Sequence, residues 1–272
     1  MPVPNPVLKP PLYLETSAGK GGVGKTTLAD RLRDHCREAG IPVLMIRVDS
    51  KRALRTAVAG EVFIHSEDFA GAADRIGGVS GVLSPIWDAL EAAKSTGSVV
   101  VVDWGAGLTD HRFSMMAATG FDRLLTAAGI PGLSFVVTTR DADIMQQAAR
   151  NIRTLAKVAP GLQPVLVQNA VDGSFDFDET TVQGQVFNEI LRPAARGLHV
   201  IDMPLIGSRA FAPFQAAGID MREALHAEPQ ELAARIRRNL FITHACLGHL
   251  AAWWDDTREE IEKVVRFPAA AA

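Results

Sequence analysis

The residues best suited to chemistry lie near the start of the chain. Gly19-Lys20-Gly21-Gly22-Val23-Gly24-Lys25-Thr26 follows the spacing G-x-x-x-x-G-K-[ST], between a segment that reads as a strand, LYLETS, and one that reads as a helix, TTLADRLRDHCREAG. A loop of this composition holds phosphate. Glycines let the backbone N–H groups of Gly21, Gly22, Val23, Gly24, Lys25, Thr26 and Thr27 converge on an anion, and the helix that follows adds partial positive charge at its N-terminus. Lys25 would span the β- and γ-phosphates of a nucleotide, and the Thr26 hydroxyl would enter a Mg²⁺ shell.

Two carboxylates stand where such a loop needs them. The apolar run Val99-Val100-Val101-Val102 ends in Asp103, an arrangement that delivers a carboxylate to the edge of a sheet to hold a Mg²⁺-bound water. Asp49 closes the run Ile46-Arg47-Val48 and could orient or deprotonate an attacking water; an Asp in that place also caps turns. Gly107 would let a backbone N–H approach a γ-phosphate. Asn169 ends another apolar run, and its amide can offer adenine a donor and an acceptor, or close a turn.

The string KGGVGKTT, with a second lysine after the first glycine, resembles the ParA/MinD family of deviant Walker A ATPases. The resemblance implies ATP and Mg²⁺ as cofactors, slow basal hydrolysis, and an ATP-dependent homodimer in which Lys20 reaches the partner's nucleotide. It implies catalytic roles for Lys20, Lys25 and Asp49, and a metal set of Thr26, Asp49 and Asp103. It places Pro204, in the string Ile201-Asp202-Met203-Pro204-Leu205, beside the adenine together with the stretch from Phe211 to Gly218. A protein partner that stimulates hydrolysis and non-specific DNA binding follow from the same resemblance. Three positions depart from the family pattern: Arg47 stands for an Asp, Lys51 for a Gln and Gly105 for a Pro.

The elements that must position these residues are legible as alternation. Short apolar runs at Leu12–Thr16, Val43–Val48, Val99–Val102, Ser134–Thr138, Pro164–Gln168 and Leu198–Met203 predict six strands. Helical composition fills Lys25–Ala39, Pro85–Lys94, Asp110–Thr119 and Asp141–Val158, with stops at Gly40, Gly97, Gly120 and Gly161. The expected class is α/β: a mostly parallel twisted sheet with helices on both faces, of the P-loop NTPase kind, with a helical C-terminal extension. The divisions expected are a Pro-rich lead-in at 1–11, the ATPase domain at 12–227, a helical extension of it at 228–267 and a tail at 268–272.

Composition narrows the class. The chain has 272 residues, 47% hydrophobic and 22% charged, a globular balance that excludes a disordered or fibrous chain. A net charge of -3 excludes a uniformly basic, nucleic-acid-coating surface. Two separated cysteines, Cys36 and Cys246, supply neither a disulfide framework nor a zinc or iron–sulfur ligand set, and a cytoplasmic setting fits. Local DNA contact could come from Arg150, Arg153 and Lys157 on one predicted helix, or from Arg235, Arg237 and Arg238 on another; both sets also suit solvated helix faces. The stretch Leu250–Phe267 carries an apolar stripe through Ala251, Trp254, Ile261 and Val265. Its acidic polar face argues against a membrane, so it reads as packed on the domain or a partner, anchored by Trp253 and Trp254. The expected function is an ATPase switch that positions or partitions DNA or a protein complex. A P-loop kinase or synthetase and a low-turnover assembly factor are the alternatives.

Overall fold

The computed structural model describes residues 7–49 and 61–268. Lys51, residues 1–6 of the lead-in and residues 269–272 of the tail lie outside them. Among the described residues seven strands form one sheet: β1 (Leu12–Ser17), β2 (Val43–Asp49), β3 (Glu61–His65), β4 (Val99–Trp104), β5 (Gly132–Thr138), β6 (Gln163–Asn169) and β7 (His199–Met203). Their order is β3-β2-β4-β1-β5-β6-β7, and every neighbouring pair is parallel. The six expected strands are present. β3, at the edge, is the seventh, and the sequence reading missed it.

Alternation along the strands divides the core into layers. Leu12 and Leu14 of β1 face one layer with Val99 and Val101 of β4, against α1 (Lys25–Glu38). Tyr13, Val100 and Val102 face the other, against α2 (Ser84–Thr96) and α3 (Thr109–Thr119). A third cluster lies under α4 (Ala142–Val158), whose Met145, Ala148 and Ile152 pack on Val136 and Leu166. Asp141 caps α4, accepting from the backbone N–H groups of Asp143 and Ile144. Gly40, Gly97 and Gly120 follow the ends of α1, α2 and α3 with φ of +73°, +62° and +60°, as expected of stops. Gly161 does not stop α4, which ends at Val158 with Ala159 as its cap.

The C-terminal region is two helices, α5 (Pro229–Arg235) and α6 (Leu240–Glu262), where one continuous stretch was expected. Arg237, in left-handed backbone at φ +53°, breaks the run, and the Asn239 side chain restarts it by accepting from Ile242 N–H. The buried face of α6 runs through Leu250, Trp253, Thr257 and Ile261, whereas Ala251, expected in the apolar stripe, is exposed. No helix among the described residues is long and apolar enough to cross a membrane.

Candidate functional site

β1 ends at Ser17, the glycine-rich loop follows, and α1 begins at Lys25, so the loop wraps a helix N-terminus at the carboxyl edge of the sheet. Gly22 and Gly24 have φ of +78° and +93°, which side-chain-bearing residues rarely adopt. Gly24 is doubly constrained: a Cβ there would lie 2.4 Å from Asn169 Nδ2 and 2.8 Å from Met203 Cε. Val23 is buried in the α1 layer and fixes the loop to the core.

Lys25 is only 6% exposed, and its Nζ donates to the Lys20 carbonyl at 2.9 Å. Burial lowers its pKa, against the opposing pull of Asp103 and Asp49. Lys20 is exposed on the same loop, and among the described residues its side chain has no ion pair or hydrogen bond. One lysine is turned into the loop and the other out of it. Thr27 is half-buried beside them, and Gly21 packs towards Ala106, 3.5 Å from the place a Cβ would take.

Asp103 is buried at the end of β4 and is a meeting point. Its Oδ2 accepts from Thr26 Oγ1 at 2.7 Å and from Arg47 Nη1 at 3.3 Å, and its Oδ1 accepts from Thr16 Oγ1 at 3.2 Å. Burial raises its pKa, while Thr26 and Arg47 work the other way. Thr26 and Asp103 thus juxtapose two hard oxygen donors. Among the described residues no three His, Cys, Asp or Glu side chains converge to hold a metal by themselves. That donor set fits Mg²⁺, which takes one or two protein oxygens and completes its shell with phosphate and water.

Arg47, the departure from the family pattern, is buried among carboxylates. It donates to Asp30 at 2.6 Å and to both oxygens of Glu61 at 3.1 Å in addition to Asp103. Burial opposes its charge, but Asp30 and Glu61 outweigh burial and hold the guanidinium above its ordinary range. The third departure, Gly105, is sterically required. A Cβ on it would lie 2.7 Å from the Val48 carbonyl, 2.9 Å from Asp49 Cα and 3.0 Å from Asp49 Oδ1. Its N–H donates to Val48 O at 2.5 Å, a bond that proline cannot make. Asp49 therefore lies directly beside the loop that follows Asp103. In that loop Gly107 is exposed at φ +81° with open space where a Cβ would be.

On the far side of the phosphate loop a cavity of about 770 Å³ is lined by Lys25, Thr26, Thr27, Asn169, Pro204 and Trp253, among others. Asn169 lines it, but its amide is engaged: Nδ2 donates to Val23 O at 2.8 Å and Oδ1 accepts from Val171 N–H at 3.2 Å. It ties the phosphate loop to the end of β6. The Pro204 carbonyl accepts from Trp253 Nε1 at 2.7 Å, so α6 supplies part of the wall. Trp254 lies under the Arg31 guanidinium, 4.0 Å from the ring centroid, and donates to Glu38 at 2.9 Å. Both tryptophans anchor α6 to its own chain.

The basic residues are dispersed. Arg150, Arg153 and Lys157 are exposed on α4, with Arg153 donating to the Ile190 carbonyl. Arg235 is paired with Glu223 at 2.5 Å, whereas Arg237 and Arg238 are exposed without carboxylate partners among the described residues. The sequence reading overlooked a fully buried ion pair behind the phosphate loop, between Glu15 of β1 and Arg112 of α3. Its signal was an acidic residue at the centre of a strand otherwise bound for the core.

A parallel sheet whose central strand feeds a phosphate loop and helix, flanked by a strand-end Asp, is the α/β fold of a P-loop nucleotide triphosphatase. No family profile and no curated protein matches the chain. Among solved structures it is similar to a McdA variant from Cyanothece in complex with ATP, at 12% identity over 87% of this chain and 96% of that one, with a TM-score of 0.48. It is also similar to the MinD cell division protein of Aquifex aeolicus, at 13% identity over 94% and 99% of the two chains and a TM-score of 0.44. A third is cobyrinic acid a,c-diamide synthase of Mycobacterium smegmatis with bound ADP and magnesium, at 16% identity over 71% and 86% and a TM-score of 0.44.

Proposed function

We propose that the chain is an ATP-dependent, dimerising ATPase switch of the ParA/MinD type, which binds ATP with Mg²⁺ and positions or partitions a cargo. The observation that carries this reading is the pair of lysines on one phosphate loop, Lys25 turned inward and Lys20 exposed. In this reading the loop N–H groups and Lys25 hold the phosphates. Thr26 and Asp103 hold the metal, which neutralises phosphate charge, and Asp49 orients the attacking water. Gly107 senses the γ-phosphate, Lys20 crosses to the nucleotide of a second copy, and Pro204 with the Asn169 side of the cavity borders the base. Residues 12–227 and 228–267 then act as one unit, because α6 walls the cavity.

Light scattering with ATP and Mg²⁺ tests it. The wild type is expected to dimerise, and Lys20→Ala to bind nucleotide while staying monomeric. Equal dimerisation by both chains would remove the cross-subunit role. Asp49→Ala is expected to trap the dimer and lower turnover by roughly 10²-fold. For the cargo, Arg237 and Arg238 are the proposed DNA contacts, presented twice in a dimer. Anisotropy titrations at low and moderate salt in the ADP and ATP states test them, and no binding in the ATP state assigns the cargo to a protein partner.

A further inference from the structure

Gly19 and Gly107 border a second concavity, of about 610 Å³, on the side of the loop away from the base cavity. Its walls are one face of α3, carrying Asp110, Phe113 and Ser114, and one face of α4, carrying Gln147, Arg150, Asn151 and Thr154. The spacings, three or four residues apart on each helix, put each set on a single stripe. Four of these groups are chemically uncommitted. Arg150 and Asp110, exposed and opposite in charge on facing helices, make no ion pair and no side-chain hydrogen bond among the described residues. Asn151 is 7% exposed with its Nδ2 unpartnered, and Gln147 Oε1 is buried without a donor. Gln147 reaches the phosphate loop itself, since a Cβ on Gly19 would lie 2.1 Å from its Oε1. Buried polar groups are ordinarily paired, and leaving one unmade costs about 1–3 kcal/mol. An unpaired cation, anion, amide donor and amide acceptor lining one hollow of ligand size therefore describe a ligand's complement.

We propose that the hollow between α3 and α4 binds a small zwitterion of the amino-acid type. Its carboxylate pairs with Arg150, its ammonium with Asp110, and a polar side chain meets Asn151 and Gln147. A phosphate-bearing ligand fits less well, because the one arginine is offset by Asp110. Bound there, the molecule sits against Gly19 and Gly107, next to the γ-phosphate end of the loop, and would report its presence to the nucleotide site.

Isothermal titration with L-glutamine and with L-glutamate as probes, on the full chain without nucleotide and with ADP and Mg²⁺, tests this. Saturable binding of at least one probe is expected, weakened about tenfold or more by Arg150→Glu. Lys157→Glu, two turns away on the same exposed face, should leave it unchanged. Arg150 is on the surface, so its variant is expected to fold, and nucleotide binding by the same variant, measured separately, keeps a failure of the ATPase reading distinct. No heat from either probe at millimolar concentration, or equal affinity in wild type and Arg150→Glu, would overturn the proposal.

Discussion

Arg112 and Glu15 meet inside the protein with neither side chain exposed to water. The Arg112 guanidinium donates to both carboxylate oxygens and to Ser134 Oγ at 2.8 Å, while Tyr13 OH and Trp104 Nε1 donate to Glu15 Oε2 at 2.8 and 2.7 Å. One carboxylate thus joins β1, β4, β5 and the helix that follows the Gly107 loop. Breaking the pair from one side should be severe: Arg112→Met is expected to lose about 3–5 kcal/mol, with the double variant Glu15→Leu, Arg112→Met recovering part of it. Urea unfolding of the three chains measures this, and a double variant no more stable than the single would contradict it.

The same logic applies to Arg47. Its removal leaves Asp30, Glu61 and Asp103 facing one another with less compensation. Arg47→Met is expected to cost about 3–5 kcal/mol, and Arg47→Lys less, since lysine keeps the charge but not the fork. Thermal unfolding at neutral pH ranks them.

Gly105→Ala is expected to destabilise by about 1–3 kcal/mol, because the added Cβ meets the backbone of Val48 and Asp49 and not a yielding side chain. If Asp49 orients water, turnover falls in the same chain while nucleotide affinity measured by titration holds.

Acid should loosen the docking of the C-terminal region. His35 is buried, its Nε2–H donates to the Val265 carbonyl at 2.9 Å, and burial holds its pKa below the ordinary value of 6.5. The unfolded chain therefore binds a proton that the folded chain refuses. The stability from this group is complete above about pH 6.5 and is lost as pH falls below that value. Melting temperature between pH 7 and 5 should drop more steeply in the wild type than in His35→Gln. Glu15 is shifted in the same direction for a different reason: burial raises its pKa, but Arg112 outweighs burial and holds it low. Its contribution fades only below the usual carboxylate range.

Local pattern made much of this legible. The valine run ending in Asp103 and the glycine loop are short-range signals, and both stand where they were expected. β3 was missed because an edge strand is covered on one side only and tolerates Glu61 and His65. The helix Phe121–Ala127 was missed because Gly120 both ends α3 and begins its successor, and a glycine reads only as a stop. Arg47 looked like a defect because its three acidic partners come from α1, β3 and β4, a convergence that no window of sequence contains. The exposure of Ala251 and burial of Trp253 reflect the phase of one stripe, which depends on what α6 packs against.

Among the described residues β1 is the earliest strand in chain order and also the central one, in register with Val99–Asp103 on one side and Gly132–Val136 on the other. A ribosome working at 5–20 residues per second leaves it without its second neighbour for on the order of ten seconds. Until then Leu12, Tyr13 and Leu14, wholly buried in the finished protein, lack one flank of the sheet that holds them. The central strand is therefore among the first parts of the sheet to be made and among the last to be hydrogen-bonded on both edges.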